Sequence, residues 1–198
     1  MGKAANSSIS LKQIHVTDNF WNKYVHLVKD VIIPYQWDIL NDKLEDVETS
    51  HCIENFKIAA GEKEGEFQGA VFQDTDVAKW LEAVGFVLNY ERDEKLEELA
   101  DETIELIGRA QQLDGYLNTY FTIKEPDGRW SNLMEGHELY TAGHMIEAAV
   151  AYYEATGKRR FLEIVSKFAD LVCQTFGPEE GKIHGYRTGT CKALPCNT

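Results

Sequence analysis

The segment from Glu135 to Gly157, EGHELYTAGHMIEAAVAYYEATG, reads as a helix almost without a polar face, and it limits the fold more than any other stretch. Ala142, Ile146, Ala149, Val150 and Tyr153 make one stripe, and Met145, Ala148 and Tyr152 cover much of the rest. Along the body of the helix only Glu147 and Glu154 are charged. Such a helix is expected to be buried on all sides, inside a ring or bundle. Its polar opening, His137, Glu138 and Tyr140, is then better explained by a site than by solvent. A charged amphipathic helix follows directly, so the two form a hairpin with an inner and an outer arm.

The same pairing occurs earlier in the chain. Asp74 to Tyr90 carries Val77, Trp80, Leu81, Val84, Val87 and Leu88 on one face and ends before Glu91-Arg92-Asp93, with Asp93 placed to cap the next helix. Glu94 to Gln112 keeps a stripe of Leu96, Leu99, Ala100, Thr103, Ile107 and Ala110 and turns its acids to water. In the second pair Gly157 stops the inner helix and Lys158 to Phe176 repeats the solvated type, with Phe168 and Cys173 on its apolar stripe. Trp80 and Phe86 are likewise read as core. Asn19 to Leu44 supplies an earlier helix, expected to break near Pro34 because proline lacks the amide donor, and Cys52 to Ala60 a shorter one. Between the hairpins, Asp114-Gly115-Tyr116-Leu117 reads as a turn into a short extended segment near 116–123, and Pro126-Asp127-Gly128 as a second turn. Two inner-then-outer hairpins in succession predict an all-α fold, a helical toroid.

Charge and composition narrow the partners. In a chain of 198 residues, 33 acids against 20 bases give a net charge of −13, which argues against nucleic acid or anionic lipid but leaves a neutral sugar unaffected. No apolar run approaches the roughly 20 residues that span a bilayer, and Met1 to Ser10 lacks the features of a signal peptide, so no membrane association and a cytoplasmic address are the expectations. Cys52, Cys173, Cys191 and Cys196 are too scattered for a zinc ribbon and read as free thiols.

In an α/α toroid the inner helices run parallel, so residues that open separate inner helices gather at one mouth. One such opening is Phe72-Gln73-Asp74-Thr75-Asp76, the other Glu135-Gly136-His137-Glu138-Leu139-Tyr140. Aligned helix dipoles and free amides there favour acceptor groups, and sugar hydroxyls pair with Asp, Glu, Gln and His while ring faces stack on Trp37, Trp130 or Tyr140. Asp74 and Asp76 also fit a plainer role as caps, and His144 reads as a hydrogen-bonded core histidine.

Several runs resemble the N-terminal part of the β-L-arabinofuranosidase-like glycoside hydrolases of family 127: Val31-Ile-Ile-Pro-Tyr-Gln-Trp37, Asn55-Phe-Lys-Ile-Ala-Ala-Gly-Glu62, Val71-Phe-Gln-Asp-Thr-Asp-Val-Ala-Lys-Trp-Leu-Glu82, Ala110-Gln-Gln-Leu-Asp-Gly-Tyr-Leu117, His137-Glu-Leu-Tyr140 and Phe176-Gly-Pro-Glu-Glu-Gly-Lys-Ile-His-Gly185. The resemblance covers roughly Ile14 to Gly185. It implies that this chain is a partial (α/α)6 toroid, from a twelve-helix barrel followed in the full protein by β-sandwich domains, and it implies release of terminal β-L-arabinofuranose with retention, by a zinc-bound cysteine thiolate and a glutamate acid/base. By position, His137 matches a histidine that contacts the sugar, and Asp74, Asp76, Gln36, Trp37 and Tyr140 match the pattern of the same mouth.

The family's catalytic glutamate, zinc-binding glutamate and cysteine cluster lie beyond the last residue here, so no catalytic residue, metal or cofactor is assigned to this chain, although zinc is expected in full-length members. The organisation expected is a flexible 1–13, a partial barrel at 14–186 and a tail at 187–198 without the family pattern, the product of a frameshift or premature stop. The function implied is that of an N-terminal fragment of the hydrolase, inactive alone, supplying part of the pocket for an L-arabinofuranoside and prone to self-association through uncovered helix faces. Two alternatives stand beside it: a non-catalytic helical module for a carbohydrate or partner, and another toroid sugar enzyme of the glucuronyl hydrolase or epimerase type.

Overall fold

The computed structural model describes residues 9–183. The chain opens with a 3-10 turn, Leu11–Gln13, and then a helix in three parts: α1 (Trp21–Leu27), a π-helical stretch at Val28–Ile32, and α2 (Ile33–Leu40). Asp18 Oδ1 starts it by accepting from the amides of Phe20 and Trp21 at 3.0 and 2.8 Å. The break expected at Pro34 is absent. The proline falls in the first turn of α2, directly after the π-helical widening, where a missing amide is tolerated. Trp80 Nε1 donates to the carbonyl of Ile33 at 3.1 Å, which ties this helix to the core.

After α3 (Cys52–Ala59) come the two hairpins, α4 (Asp74–Tyr90) with α5 (Glu94–Ala110), and later α8 (Glu138–Thr156) with α9 (Arg160–Thr175). Asp93 caps α5, its carboxylate accepting from Lys95 and Leu96 amides at 3.1 Å each. The connection between the hairpins carries α6 (Thr119–Ile123), a 3-10 turn at Pro126–Gly128, and α7 (Leu133–Gly136). The extended segment expected near 116–123 is therefore helical from Thr119 onward. Asn118 provides the reason: its side chain accepts from the Phe121 amide at 3.1 Å, and Phe121 is buried in the core, which outweighs the strand preference of the Thr and Tyr residues.

The inner helices α4 and α8 lie side by side and parallel. Phe72 meets His137 at their starts, with ring centroids 5.2 Å apart, and further along Gly85 of α4 lies against the backbone of Ala151 and Tyr152 of α8. A Cβ on Gly85 would stand 2.9 Å from both the Ala151 carbonyl carbon and the Tyr152 nitrogen, so glycine is what permits this approach. Around this contact Val77, Trp80, Leu81, Val84, Met145, Ala148, Ala149 and Tyr152 are buried. The outer helices bury one face each. Across them Lys158 reaches Glu97 and Asp101 at 2.5 Å, and Arg160 forks onto Glu105 at 2.9 and 3.0 Å.

The inner helix α8 is not buried on all sides. Tyr140, Val150 and Tyr153 are exposed, as is Phe86 of α4, because one outer hairpin arm and one inner neighbour cover only part of an inner helix. An open apolar groove of about 500 Å³ runs beside α4, lined by Trp21, Tyr24, Val28, Phe86 and Tyr90 among others. Cys173 is exposed and not packed. Cys191 and Cys196 lie outside the described residues. No described helix is long and apolar enough to cross a membrane.

Candidate functional site

The starts of α4 and α8 do meet at one mouth, and the side chains there divide into two layers. In the outer layer His137 stands between Phe72 and Tyr140, at centroid distances of 5.2 and 5.8 Å, and Lys79 Nζ lies 5.5 Å from the Tyr140 ring centroid. Gln36, Ser50, Asp76, Lys79 and Trp80 line an adjoining cleft of about 380 Å³. Gln73 Nε2 donates to Asp76 Oδ2 at 3.2 Å, and partial burial raises the Asp76 pKa against the opposing effect of Lys79. Asp76, Gln36, Tyr140 and His137 are thus brought together with groups that can exchange hydrogen bonds with a polyol.

Asp74 and Trp37 are placed differently from the sequence expectation. Asp74 is buried, accepting from the amide and hydroxyl of Thr119 at 2.7 and 2.5 Å, and burial pushes its carboxyl up to about 6 despite those bonds. It holds the connection against the start of α4 and turns away from the mouth. Trp37 lies against Trp80, with centroids 4.5 Å apart, and is half-buried there. Trp130 is likewise engaged, packing on Tyr116 and Phe176 at 5.3 and 5.2 Å.

The inner layer contains Glu138, which the sequence places in the polar opening of α8 without giving it a role of its own. Glu138, the first residue of α8, is 0% exposed; it accepts from the Tyr116 hydroxyl and, at 2.8 Å, from the Trp130 amide. Burial pushes its carboxyl up to about 7, opposed by those two bonds and by Arg129. Arg129 sits 3.9 Å from the Tyr116 ring centroid and is paired with Asp114 at 3.0 Å. An acid at the start of a helix ordinarily reads as a complement to the dipole. The signal for its burial was the absence of a polar face on α8 behind it.

His137 has a fixed orientation. Its φ is 53°, in the left-handed region, and its Nδ1 lies 2.8 Å from the carbonyl oxygen of Glu135. A carbonyl only accepts, so Nδ1 carries the proton and Nε2 of the neutral ring is an acceptor. His144, expected as a hydrogen-bonded core histidine, is instead partly exposed, with Tyr140 edge-on at 4.5 Å and its Nδ1 3.5 Å from Glu147.

Glu82, His144 and Glu147 place one ligand atom each within 4.8 Å of one another, the grouping of three potential metal ligands among the described residues. It contains no cysteine. Cys52 is buried, its thiol pushed up to about 12 by that burial, with the Gln73 amide 3.3 Å from its sulfur. It lies outside that grouping, whose three members are two carboxylates and an imidazole. The described residues therefore do not fit the zinc–cysteine centre that the resemblance implies for full-length members.

Comparison with known proteins agrees with this geometry. Residues 13–193 match the family model of the β-L-arabinofuranosidase GH127 catalytic domain. The chain is 44% identical to a non-reducing end β-L-arabinofuranosidase of Bifidobacterium longum subsp. longum, an alignment covering 87% of this chain and 29% of that protein. Among solved structures, a GH127 β-L-arabinofuranosidase from Geobacillus stearothermophilus T6 superposes with a TM-score of 0.86 at 63% identity, over 87% of this chain and 27% of the other. A second GH127 β-arabinofuranosidase gives 0.80 at 35% identity, over 90% of this chain and 28% of its own. The chain spans under a third of the length of these relatives, and its hairpins form part of an (α/α)6 toroid. Parallel inner helices, a shared mouth and the family match over 13–193 together place this chain in the GH127 β-L-arabinofuranosidase catalytic-domain family.

Proposed function

We propose that this chain supplies one wall of the sugar pocket of a retaining β-L-arabinofuranosidase, with His137, Asp76, Gln36 and Tyr140 facing a terminal β-L-arabinofuranose. The convergence of the α4 and α8 starts supports this most directly: His137 Nε2 offers an acceptor beside the Tyr140 ring, and Asp76 and Gln36 border the adjoining cleft. Hydroxyls meeting acceptors and an amide, with an apolar ring face alongside, is the chemistry that distinguishes a furanose from water. Asp74 and Trp37 support the wall from behind.

The isolated chain binds weakly and does not hydrolyse. The buried Cys52 thiol is pushed up by its burial, so it offers no thiolate to attack an anomeric carbon. The uncovered aromatics Trp21, Tyr24, Phe86 and Tyr153 support self-association, which light scattering across a concentration series would read as a rising mass.

Titration of the ¹⁵N-labelled chain with L-arabinose tests the reading. Shifts confined to the starts of α4 and α8, lost in His137→Ala, are expected. Equal responses to L-arabinose and an unrelated hexose, or shifts centred on the apolar groove, would favour a different ligand and a different surface.

A further inference from the structure

The start of α8 contains a strained turn that one buried carboxylate holds from behind. Two of the four non-glycine residues with positive φ among the described residues, Trp130 at 61° and His137 at 53°, flank the segment that leads into α8. Bulky residues rarely occupy this region, so the surrounding structure has to fix them there. Glu138 does so at both ends. Through the chain it adjoins His137, and through space its carboxylate accepts the Trp130 amide at 2.8 Å and the hydroxyl of Tyr116. Tyr116 is itself fully buried, edge-on to Trp130 and Phe168 at 5.3 and 5.7 Å, so the carboxylate is anchored to the core and not to a mobile loop. The far side of the turn is closed by the His137 Nδ1 contact with Glu135 at 2.8 Å.

We propose that Glu138 is a positioning residue: its carboxylate, held by Tyr116 and Trp130, locks the 130–137 turn and so fixes His137 in the left-handed conformation with its proton on Nδ1 and Nε2 toward the mouth. The sugar-facing role of His137 rests on the reading given above; the lock itself does not. A group that fixes tautomer and ring orientation from behind acts on binding without touching the ligand.

The imidazole ¹⁵N resonances of His137 in the full chain, recorded at about pH 8 with and without L-arabinose, test this. The wild-type chain is expected to show a single Nδ1–H tautomer. Glu138→Ala is expected to lose that signature and to weaken the arabinose response by about tenfold or more, the scale on which ångström misplacement acts. Glu138→Gln, whose amide can accept from Trp130 and donate to the Tyr116 oxygen, is expected to restore both. Tyr116→Phe, a smaller change for the case in which the alanine variant fails to fold, is expected to mix the tautomers while helicity is kept. An unchanged His137 signature in either folded variant overturns the proposal. A wild-type chain with one tautomer but no response to arabinose removes the sugar reading and leaves the lock standing.

Discussion

Asp74 at the start of α4 and Glu138 at the start of α8 do the same work in different settings. Each carboxylate is buried, and each accepts one backbone amide and one hydroxyl from the 111–137 connection: Thr119 supplies both to Asp74, while Trp130 and Tyr116 supply them to Glu138. In each, burial is the largest influence and raises the pKa, to about 6 and about 7. They differ in what stands next to them. Beside Asp74 the backbone runs on smoothly, whereas Glu138 adjoins His137 at a φ of 53°. An acid at an inner-helix start thus fastens the connection, and the residue nearby, Asp76 or His137, is left to face the mouth.

The comparison is broken most forcefully by removing a carboxylate. Asp74→Ala leaves two buried donors of Thr119 without an acceptor, at about 1–3 kcal/mol each, so urea unfolding should show a loss on the order of 4 kcal/mol. Glu138→Ala should lose less, about 2–3 kcal/mol, because Trp130, which supplies one of its donors, is only partly buried, whereas Thr119 is fully buried. A larger loss at Glu138 than at Asp74 would overturn the ranking.

The two groups also predict an acid-side stability gain. Their folded pKa values, about 6 and about 7, lie above the ordinary 3.8 and 4.5, so the folded state holds these protons more tightly than the unfolded chain. The stabilisation, on the order of 3 kcal/mol for each group, is fully present below about pH 4 and is lost as pH rises through 6 and 7. Urea unfolding between pH 4 and 8 reads it: Asp74→Asn should flatten the lower part of the slope and Glu138→Gln the upper part, and a wild-type profile that is level there would contradict both burial arguments.

Smaller effects sharpen the picture. Gly85→Ala forces a methyl to within 2.9 Å of the α8 backbone and should cost about 2 kcal/mol, lowering the thermal midpoint by several degrees, because it pushes apart the helices whose starts form the mouth. His137→Gly relieves the left-handed strain and should leave stability unchanged or raise it by up to about 1 kcal/mol, while abolishing the arabinose response. A marked destabilisation by His137→Gly would mean that the ring, and not Glu138, holds the turn.

Much of this architecture was legible in the residues. The bounds of α4, the Asp93 cap and the stop at Gly157 follow from local chemistry, since a cap or a left-handed glycine acts within one turn of chain. Pro34 was misread because a proline and the π-helical stretch before it act together, and no single residue announces that stretch. The 116–123 segment was misread because the cap of Asn118 and the burial of Phe121 outweigh the β preference of their neighbours. Exposure was the least readable quantity: Phe86 and Cys173 sit on apolar stripes yet meet water, because a stripe states which face seeks cover and not whether a neighbour arrives.

By itself the sequence determined an inner and an outer helix in each hairpin and the gathering of two helix starts, because hydrophobic period and capping are local and survive any arrangement of the remainder. Which of the gathered groups border the open mouth was decided only by the tertiary structure. Asp74 and Asp76 are two residues apart and chemically identical, and one is sealed against Thr119 while the other borders an open cleft. That choice depends on where a connection some forty residues later in the chain comes to rest, a long-range packing outcome that no local pattern encodes.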